Sequence, residues 1–181
     1  YTYMDPLNIP SVEDEYKEPS EPYETPIPNG DYLINTLLST NKVVDIQSGS
    51  KDDGANAQLY KSNLSDAQTF ILEADPNTGF YSIVCKGTGK ALGLKKYSSG
   101  KYSTNVAQYT KDSSDNSQKW ILSENNNGTL TVTSAINPGY VLDVASASSA
   151  NGANVQVYQN NGSNAQQWYM LPVKPDLVSE K

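Results

Sequence analysis

The sequence predicts an all-β domain of three four-stranded repeats about a pseudo-threefold axis, a β-trefoil. Three observations carry that expectation. Between residues 29 and 172 no stretch sustains a 3.6-residue apolar period over three turns. Short β-rich runs recur instead, with Gly, Asn and Pro turn formers between them. A Gln-x-aromatic tripeptide also returns at spacings of 50 and 48 residues, as Gln68-Thr69-Phe70, Gln118-Lys119-Trp120 and Gln166-Gln167-Trp168. A fixed period of this length marks a repeat architecture, in which each unit buries its apolar face against its neighbours.

Taken in order, residues 1–28 interleave Pro6, Pro10, Pro19, Pro22, Pro26 and Pro28 with Glu13, Asp14, Glu15, Glu18, Glu21 and Glu24. Proline at this density forbids a helix interior or a central strand, so an extended arm or linker from an upstream domain is expected. The first repeat, about 29–75, supplies strands at Tyr32 to Leu38, Val43 to Ile46, Gln58 to Tyr60 and Thr69 to Leu72. The second, about 76–124, supplies Phe80 to Cys85, Ala91 to Leu94, Val106 to Tyr109 and Trp120 to Leu122. The third, about 125–172, supplies Thr129 to Ala135, Tyr140 to Val144, Val155 to Tyr158 and Trp168 to Leu171. Residues 173–181 form a short tail. The outer repeats superpose without a gap at an offset of 98: Val44-Asp45-Ile46 on Leu142-Asp143-Val144, Asn56 to Tyr60 on Asn154 to Tyr158, and Gln68 on Gln166. Six strands then close a barrel and three hairpins cap one end.

Composition removes several chemistries. The 181 residues contain no His and one Cys, which excludes a histidine-based triad, a His-ligated zinc site, an intrachain disulfide and a Cys-rich metal cage. A formal charge of −7 and a pI near 4.5 argue against nucleic acid and anionic membranes as partners. No apolar run is long enough to span a bilayer, and no insertion into one is expected. A chain beginning Tyr1-Thr2-Tyr3 reads as a processed or excised piece. With its scarcity of cysteine and richness in Asn, Ser, Gly and Tyr, it reads as secreted and bacterial. A binding domain or an enzyme acting through carboxylates remains.

The three Gln-x-aromatic tripeptides, two of them following a Leu-Asp-Val-like strand and a Gln-x-aromatic strand, resemble the ricin B-type lectin domain over about residues 29–172. That resemblance implies a non-enzymatic carbohydrate-binding module without cofactor or metal, directed at galactose-type termini or polysaccharide. It further implies the glycan-targeting part of a larger bacterial toxin or glycan-active protein. Sugar recognition needs an aromatic face for the C–H side of a pyranose and fixed polar groups for adjacent hydroxyls. In the first repeat Asp45, Gln58 and Tyr60 offer these, and in the third Asp143, Gln156 and Tyr158. By resemblance the aspartates accept the hydroxyls, the tyrosines stack, and the glutamines add a contact. An aspartate inside Val43-Val44-Asp45-Ile46 or Val141-Leu142-Asp143-Val144 also demands a partner or solvent.

The family's asparagine before the tripeptide is replaced here by Ala67 and Ala165. Asp66 and Asn164, one residue earlier, are the substitutes expected for it. The second repeat has Gly93 and Ala107 at the aspartate and glutamine positions, keeping Tyr109 and Asn116, so its site is expected to be dead or altered. Phe70, Trp120, Trp168 and their preceding glutamines are read as fold-holding, and Cys85 as a small core residue. Asn63-Leu64-Ser65, Asn127-Gly128-Thr129 and Asn161-Gly162-Ser163 match glycosylation acceptors, a pattern an Asn-rich chain produces by chance. The acidic clusters Asp52-Asp53 and Asp112 to Asp115 lack calcium-loop spacing and read as solvated turns. The alternative is a protein-interaction β-trefoil, a toxin subdomain or inhibitor, that has lost its sugar.

Overall fold

The computed structural model describes residues 25–174, so the expected arm up to residue 24 and the tail from residue 175 lie outside the described residues. The strands are β1 (Gly30–Thr36), β2 (Lys42–Ile46), β3 (Ala57–Lys61), β4 (Phe70–Ala74), β5 (Tyr81–Cys85), β6 (Ala91–Lys96), β7 (Tyr102–Tyr109), β8 (Lys119–Glu124), β9 (Leu130–Ser134), β10 (Tyr140–Val144), β11 (Val155–Gln159) and β12 (Trp168–Pro172). β1 pairs with β4, β4 with β5, β5 with β8, β8 with β9, β9 with β12, and β12 returns to β1, all antiparallel. That ring is a closed six-stranded barrel, which leaves no barrel edge for another chain to pair with. The hairpins β2–β3, β6–β7 and β10–β11 cap it.

The tripeptide aromatics stand at or next to the start of the fourth strand of each repeat and fill the barrel. Phe70 lies between Tyr32 and Cys85, Trp120 between Tyr81 and Ser134, and Trp168 between Leu130 and Thr36. All three rings are buried. Each indole also donates inward, Trp120 Nε1 to Leu92 O and Trp168 Nε1 to Leu142 O at 3.1 Å, which satisfies the polar edge of a buried ring. One of the two strand neighbours of each ring is small in every repeat, Thr36, Cys85 and Ser134. Cys85 is thus the size of residue this position requires.

On the axis the three caps meet in a ring of amides. Asn56 Nδ2 donates to Asn154 Oδ1, Asn154 Nδ2 to Asn105 Oδ1, and Asn105 Nδ2 to Asn56 Oδ1, each at 2.8 Å. Every member gives one bond and takes one, so removing any member strands a partly buried donor and acceptor. Asn105→Ala is expected to cost about 1–3 kcal/mol in urea unfolding, since it deletes two bonds and leaves two groups unmet.

The outer repeats clamp their neighbours through glycines in the left-handed backbone region that favours this residue. Gly54 and Gly152 both have φ of 85°, and their N–H groups donate to Gln108 O and Leu59 O at 2.7 Å. Gln108 completes one clamp by donating Nε2 to Ser50 O and Asp52 O, which explains a fully buried glutamine where the third repeat has Val157. Asp53 holds the same loop to the second repeat, accepting from Lys90 Nζ at 2.7 Å and from Thr110. Those bonds, Lys90 first, hold its carboxyl below the ordinary carboxylate range.

The largest departure from the predicted strand bounds is in the middle hairpin. β7 begins at Tyr102 rather than Val106, and β6 runs to Lys96, because the middle hairpin continues through Lys96 opposite Tyr102. The outer repeats break at this point into 3-10 turns, Gln47–Gly49 and Ala145–Ala147. β4 starts at Phe70, one residue later than predicted, because Asp66–Gln68 is drawn into another 3-10 turn.

Charge is divided unevenly along the chain. Residues 25–174 carry eleven lysines and eleven carboxylates, so the formal charge of −7 lies entirely in the flanking segments. The acidity read from the whole composition is therefore not a property of the folded body.

Candidate functional site: two polar hollows on the capping hairpins

The first-repeat hollow is lined by Asp45, Gln47, Ser48, Gly49, Gln58, Tyr60, Asn63, Ser65 and Ala67, and the third-repeat hollow has the same plan around Asp143, Gln156 and Tyr158. Strand pairing brings the core of each together: Asp45 faces Gln58 across β2–β3, and Asp143 faces Gln156 across β10–β11. Both aspartates are buried, and each is held by two amides. Asp45 accepts from Gln58 Nε2 at Oδ1 (3.1 Å) and from Gln68 Nε2 at Oδ2 (2.9 Å). Asp143 accepts from Gln156 Nε2 at Oδ1 (3.1 Å) and from Gln166 Nε2 at Oδ2 (3.0 Å). Each carboxylate oxygen has one more lone pair, and this is the group that meets an incoming hydroxyl.

The tripeptide glutamines do more than the sequence suggests. Gln68 also donates to Lys61 O and accepts from Asn63 N–H, and Gln166 does the same with Gln159 O and Asn161 N–H. In the outer repeats the residue that begins the fold-holding tripeptide therefore also fixes the aspartate. In the second repeat Gln118 keeps the loop bonds, to Thr110 O and from Asp112 N–H, without any aspartate to hold.

Opposite the aspartates stand Tyr60 and Tyr158, 42% and 53% exposed, so each ring presents a large free face. The remaining wall is the 3-10 turn, where Ser48 and Ser146 adopt φ of 58°. This left-handed conformation is unfavourable for residues with a Cβ and is held by flanking bonds, Gln47 N–H to Asn56 O and Ala145 N–H to Asn154 O. Strained backbone at the same place in both hollows is a feature that pattern reading does not reveal.

Two candidates lie elsewhere. Asp66 lines a separate hollow with Asp31, Tyr32 and Lys86, and Asn164 is exposed and lines neither hollow; the 3-10 turns Asp66–Gln68 and Asn164–Gln166 turn these positions away. The asparagines that do line the hollows are Asn63 and Asn161. Their Oδ1 atoms accept from Ser65 N–H at 3.0 Å and Ser163 N–H at 2.9 Å, which fixes each amide beside the aspartate. The same 98-residue offset relates them, and the Asn-x-Ser pattern that suggests a glycosylation acceptor is here an asparagine turn.

Between these asparagines and serines the repeats differ. Leu64 takes φ of 58° where Gly162 takes 68°, and Leu64 is 77% exposed. Leu64→Gly relieves a left-handed Cβ without losing burial, and is expected to raise unfolding stability in urea by about 0.5–1 kcal/mol.

The second repeat is built differently at the equivalent position. A Cβ on Gly93 would stand 3.0 Å from Gln118 Cγ and 3.1 Å from Ser117 O, so the Asn116–Gln118 turn already occupies the aspartate's place. Ala107 offers no amide, and the extended hairpin removes the 3-10 wall. Tyr109 remains, half-buried, its phenol raised above the ordinary tyrosine range first by burial and then by Tyr97 and Asp53.

A closed barrel with three hairpin caps, two of them bearing an aspartate, two glutamines and an exposed tyrosine, defines a β-trefoil of the lectin class. The chain belongs to the family described as the ricin-type beta-trefoil lectin domain, whose model matches residues 32–170. Among solved structures, the designed threefold-symmetric protein ThreeFoil is similar at 32% identity, with a TM-score of 0.71, covering 80% of this chain and 99% of ThreeFoil. An exo-β-1,3-galactanase from Clostridium thermocellum is similar at 25% identity and a TM-score of 0.69, covering 83% of this chain and 31% of the enzyme. The Macrolepiota procera ricin B-like lectin, solved in complex with lactose, shares the fold at 12% identity and a TM-score of 0.66, covering 81% of this chain and 99% of the lectin. No curated protein is similar enough in sequence to count as a match. The domain is a carbohydrate-binding module.

Proposed function

We propose that the first and third repeats each bind a galactose-type hexose, without catalysis, as the glycan-targeting part of a larger secreted bacterial protein, either a toxin or a glycan-active enzyme. One observation carries the reading. Two hollows 98 residues apart in sequence present the same aspartate, amide pair, turn asparagine and exposed tyrosine in the same geometry. Packing alone does not require a buried carboxylate twice, since such a group costs stability unless it is paired and used. The carboxylate accepts from two adjacent hydroxyls, the asparagine amide supplies a donor, and the tyrosine covers the apolar face of the ring. That the similar galactanase acts on a galactan supports the choice of sugar class.

Each hollow is shallow, so single-site affinity is expected in the range of about 0.1–1 mM, and two sites on one rigid cap raise avidity on a dense glycan by two orders of magnitude or more. Calorimetry with lactose and with a β-1,3-galactan tests this directly. Two equivalent sites for lactose and tighter binding of the polymer are expected. No heat with either, for a folded protein, overturns the reading.

A further inference from the structure

The middle hairpin carries a surface of a different kind. Residues 91–109 contain Lys95, Lys96 and Lys101 and no carboxylate. The second repeat as a whole, residues 76–124, holds seven lysines against three acids, while residues 29–75 hold three against seven. Those three acids are placed away from the hairpin tip: Asp112 caps Ser114, Asp115 caps Ser117, and Glu124 ends β8. Asp53 of the first repeat, the carboxylate that reaches Tyr109, is engaged by Lys90 and Thr110. Among the described residues the ion pairs are Lys86 with Asp31 and Lys90 with Asp53, so Lys95, Lys96 and Lys101 face outward without one.

These lysines are interleaved with rings. Lys95 Nζ stands 5.8 Å from the centroid of the Tyr97 ring, and Lys96 Nζ stands 5.8 Å from that of Tyr102. Each ring steadies an ammonium group that would otherwise sample many rotamers. Tyr97 is 49% exposed, at a turn closed by Tyr97 N–H to Lys101 O and Gly100 N–H to Tyr97 O. The hairpin thus presents positive charge and a flat apolar face side by side, at the place where the outer repeats turn into hollow walls.

We infer that the β6–β7 hairpin is a binding site for an acidic glycan, a sulfated or carboxylated saccharide whose anionic groups meet Lys95, Lys96 and Lys101 and whose ring lies on Tyr97. The site is separate from the two neutral-sugar hollows and serves a different ligand chemistry. It accounts for a repeat that lacks the aspartate, the glutamine and the 3-10 wall of the outer repeats, yet has a longer hairpin than theirs. A saccharide fits better than a nucleic acid because the patch is a short hairpin rather than a groove that tracks a backbone.

The test uses the full chain with heparin, chemically desulfated heparin and an oligothymidylate of matched length. Heparin is expected to bind, weakening about tenfold or more between 0.1 and 0.3 M salt as its counterions are released, and desulfated heparin, which keeps only its carboxylates, is expected to bind more weakly. The triple variant Lys95→Gln, Lys96→Gln, Lys101→Gln is expected to lose at least tenfold in heparin affinity, and Tyr97→Ala severalfold, both with unchanged thermal unfolding because the side chains are exposed. Asp45→Ala with Asp143→Ala is expected to leave heparin binding intact, which separates this site from the hollows. Absence of heparin binding, full binding by the triple variant, or tighter binding of the oligothymidylate than of heparin overturns the inference.

Discussion

In the double variant Asp45→Ala, Asp143→Ala, lactose binding is expected to vanish from calorimetry while the barrel still folds. Each aspartate offers a hydroxyl two acceptor oxygens, and hydrogen bonds to a charged group contribute about 1.5–3 kcal/mol apiece. Losing two of them weakens a site by about a hundredfold or more, which places a millimolar site beyond detection. The stability cost is smaller. Gln68 keeps Lys61 O and the bond from Asn63 N–H, and Gln166 keeps Gln159 O and the bond from Asn161 N–H, so the loops stay closed. What is stranded is one amide bond each for Gln58, Gln68, Gln156 and Gln166, for which the opened space admits water. Asp143→Asn is a sharper control. Its carboxamide has a single oxygen, and Gln156 and Gln166 donate to the two different oxygens of the native carboxylate. One of those amides then faces an NH₂ group, so the isosteric change is expected to abolish the third-repeat site nearly as completely as alanine. If Asp143→Asn retains wild-type lactose stoichiometry, the carboxylate is not the sugar acceptor.

Much of this site is legible in the sequence because trefoil symmetry writes each position more than once. Asp45 and Asp143 stand out as charges inside apolar strands, and the shared offset carries Gln58 to Gln156 and Tyr60 to Tyr158. The same offset relates Asn63 to Asn161, but these residues resemble a modification signal and their role as turn asparagines depends on a bond to a backbone N–H two residues on. Asp66 and Asn164, expected from the sequence to line the hollows, lie outside them for a related reason. Adjacency to the tripeptide suggests reach, while the direction of a side chain at the start of a 3-10 turn is set by φ and ψ, which spacing does not encode. Asn105 is hidden in a different way. Its partners Asn56 and Asn154 superpose, but Gly93, Ala107 and the longer hairpin make the second repeat look unrelated at the very point where its register on the axis is kept. The tripeptide glutamines are legible as structural, and only the geometry shows that the same amide serves the aspartate.

The middle repeat invites an attempt to restore a third hollow, and Gly93→Asp with Ala107→Gln is the obvious design. The expected outcome is a destabilised protein with no third site. A Cβ at position 93 would meet Gln118 Cγ at 3.0 Å and Ser117 O at 3.1 Å. The glutamine end can shift, but Ser117 O is backbone, held in a turn that Asp115 caps through Ser117 N–H at 2.9 Å. Moving that turn disturbs Gln118, whose bonds to Thr110 O and from Asp112 N–H close the adjoining loop. Overpacking of this kind costs about 1–3 kcal/mol, and a carboxylate pressed into a buried position with incomplete pairing adds about 1–3 kcal/mol more. Against a domain stability on the order of 5–15 kcal/mol, the sum is large enough to appear as a clear fall in the urea midpoint. Ala107→Gln alone is expected to fare little better, since Ala107 is buried beside the axis and bridges to Asn56. Even a variant that folds would lack the 3-10 wall, because β6 and β7 continue where Gln47–Gly49 and Ala145–Ala147 turn in the outer repeats. A wild-type urea midpoint together with a third equivalent of bound lactose would show that the closure of this repeat is a matter of two side chains. In the geometry a turn, a hairpin length and a backbone contact all differ from the outer repeats, so two substitutions cannot supply the hollow.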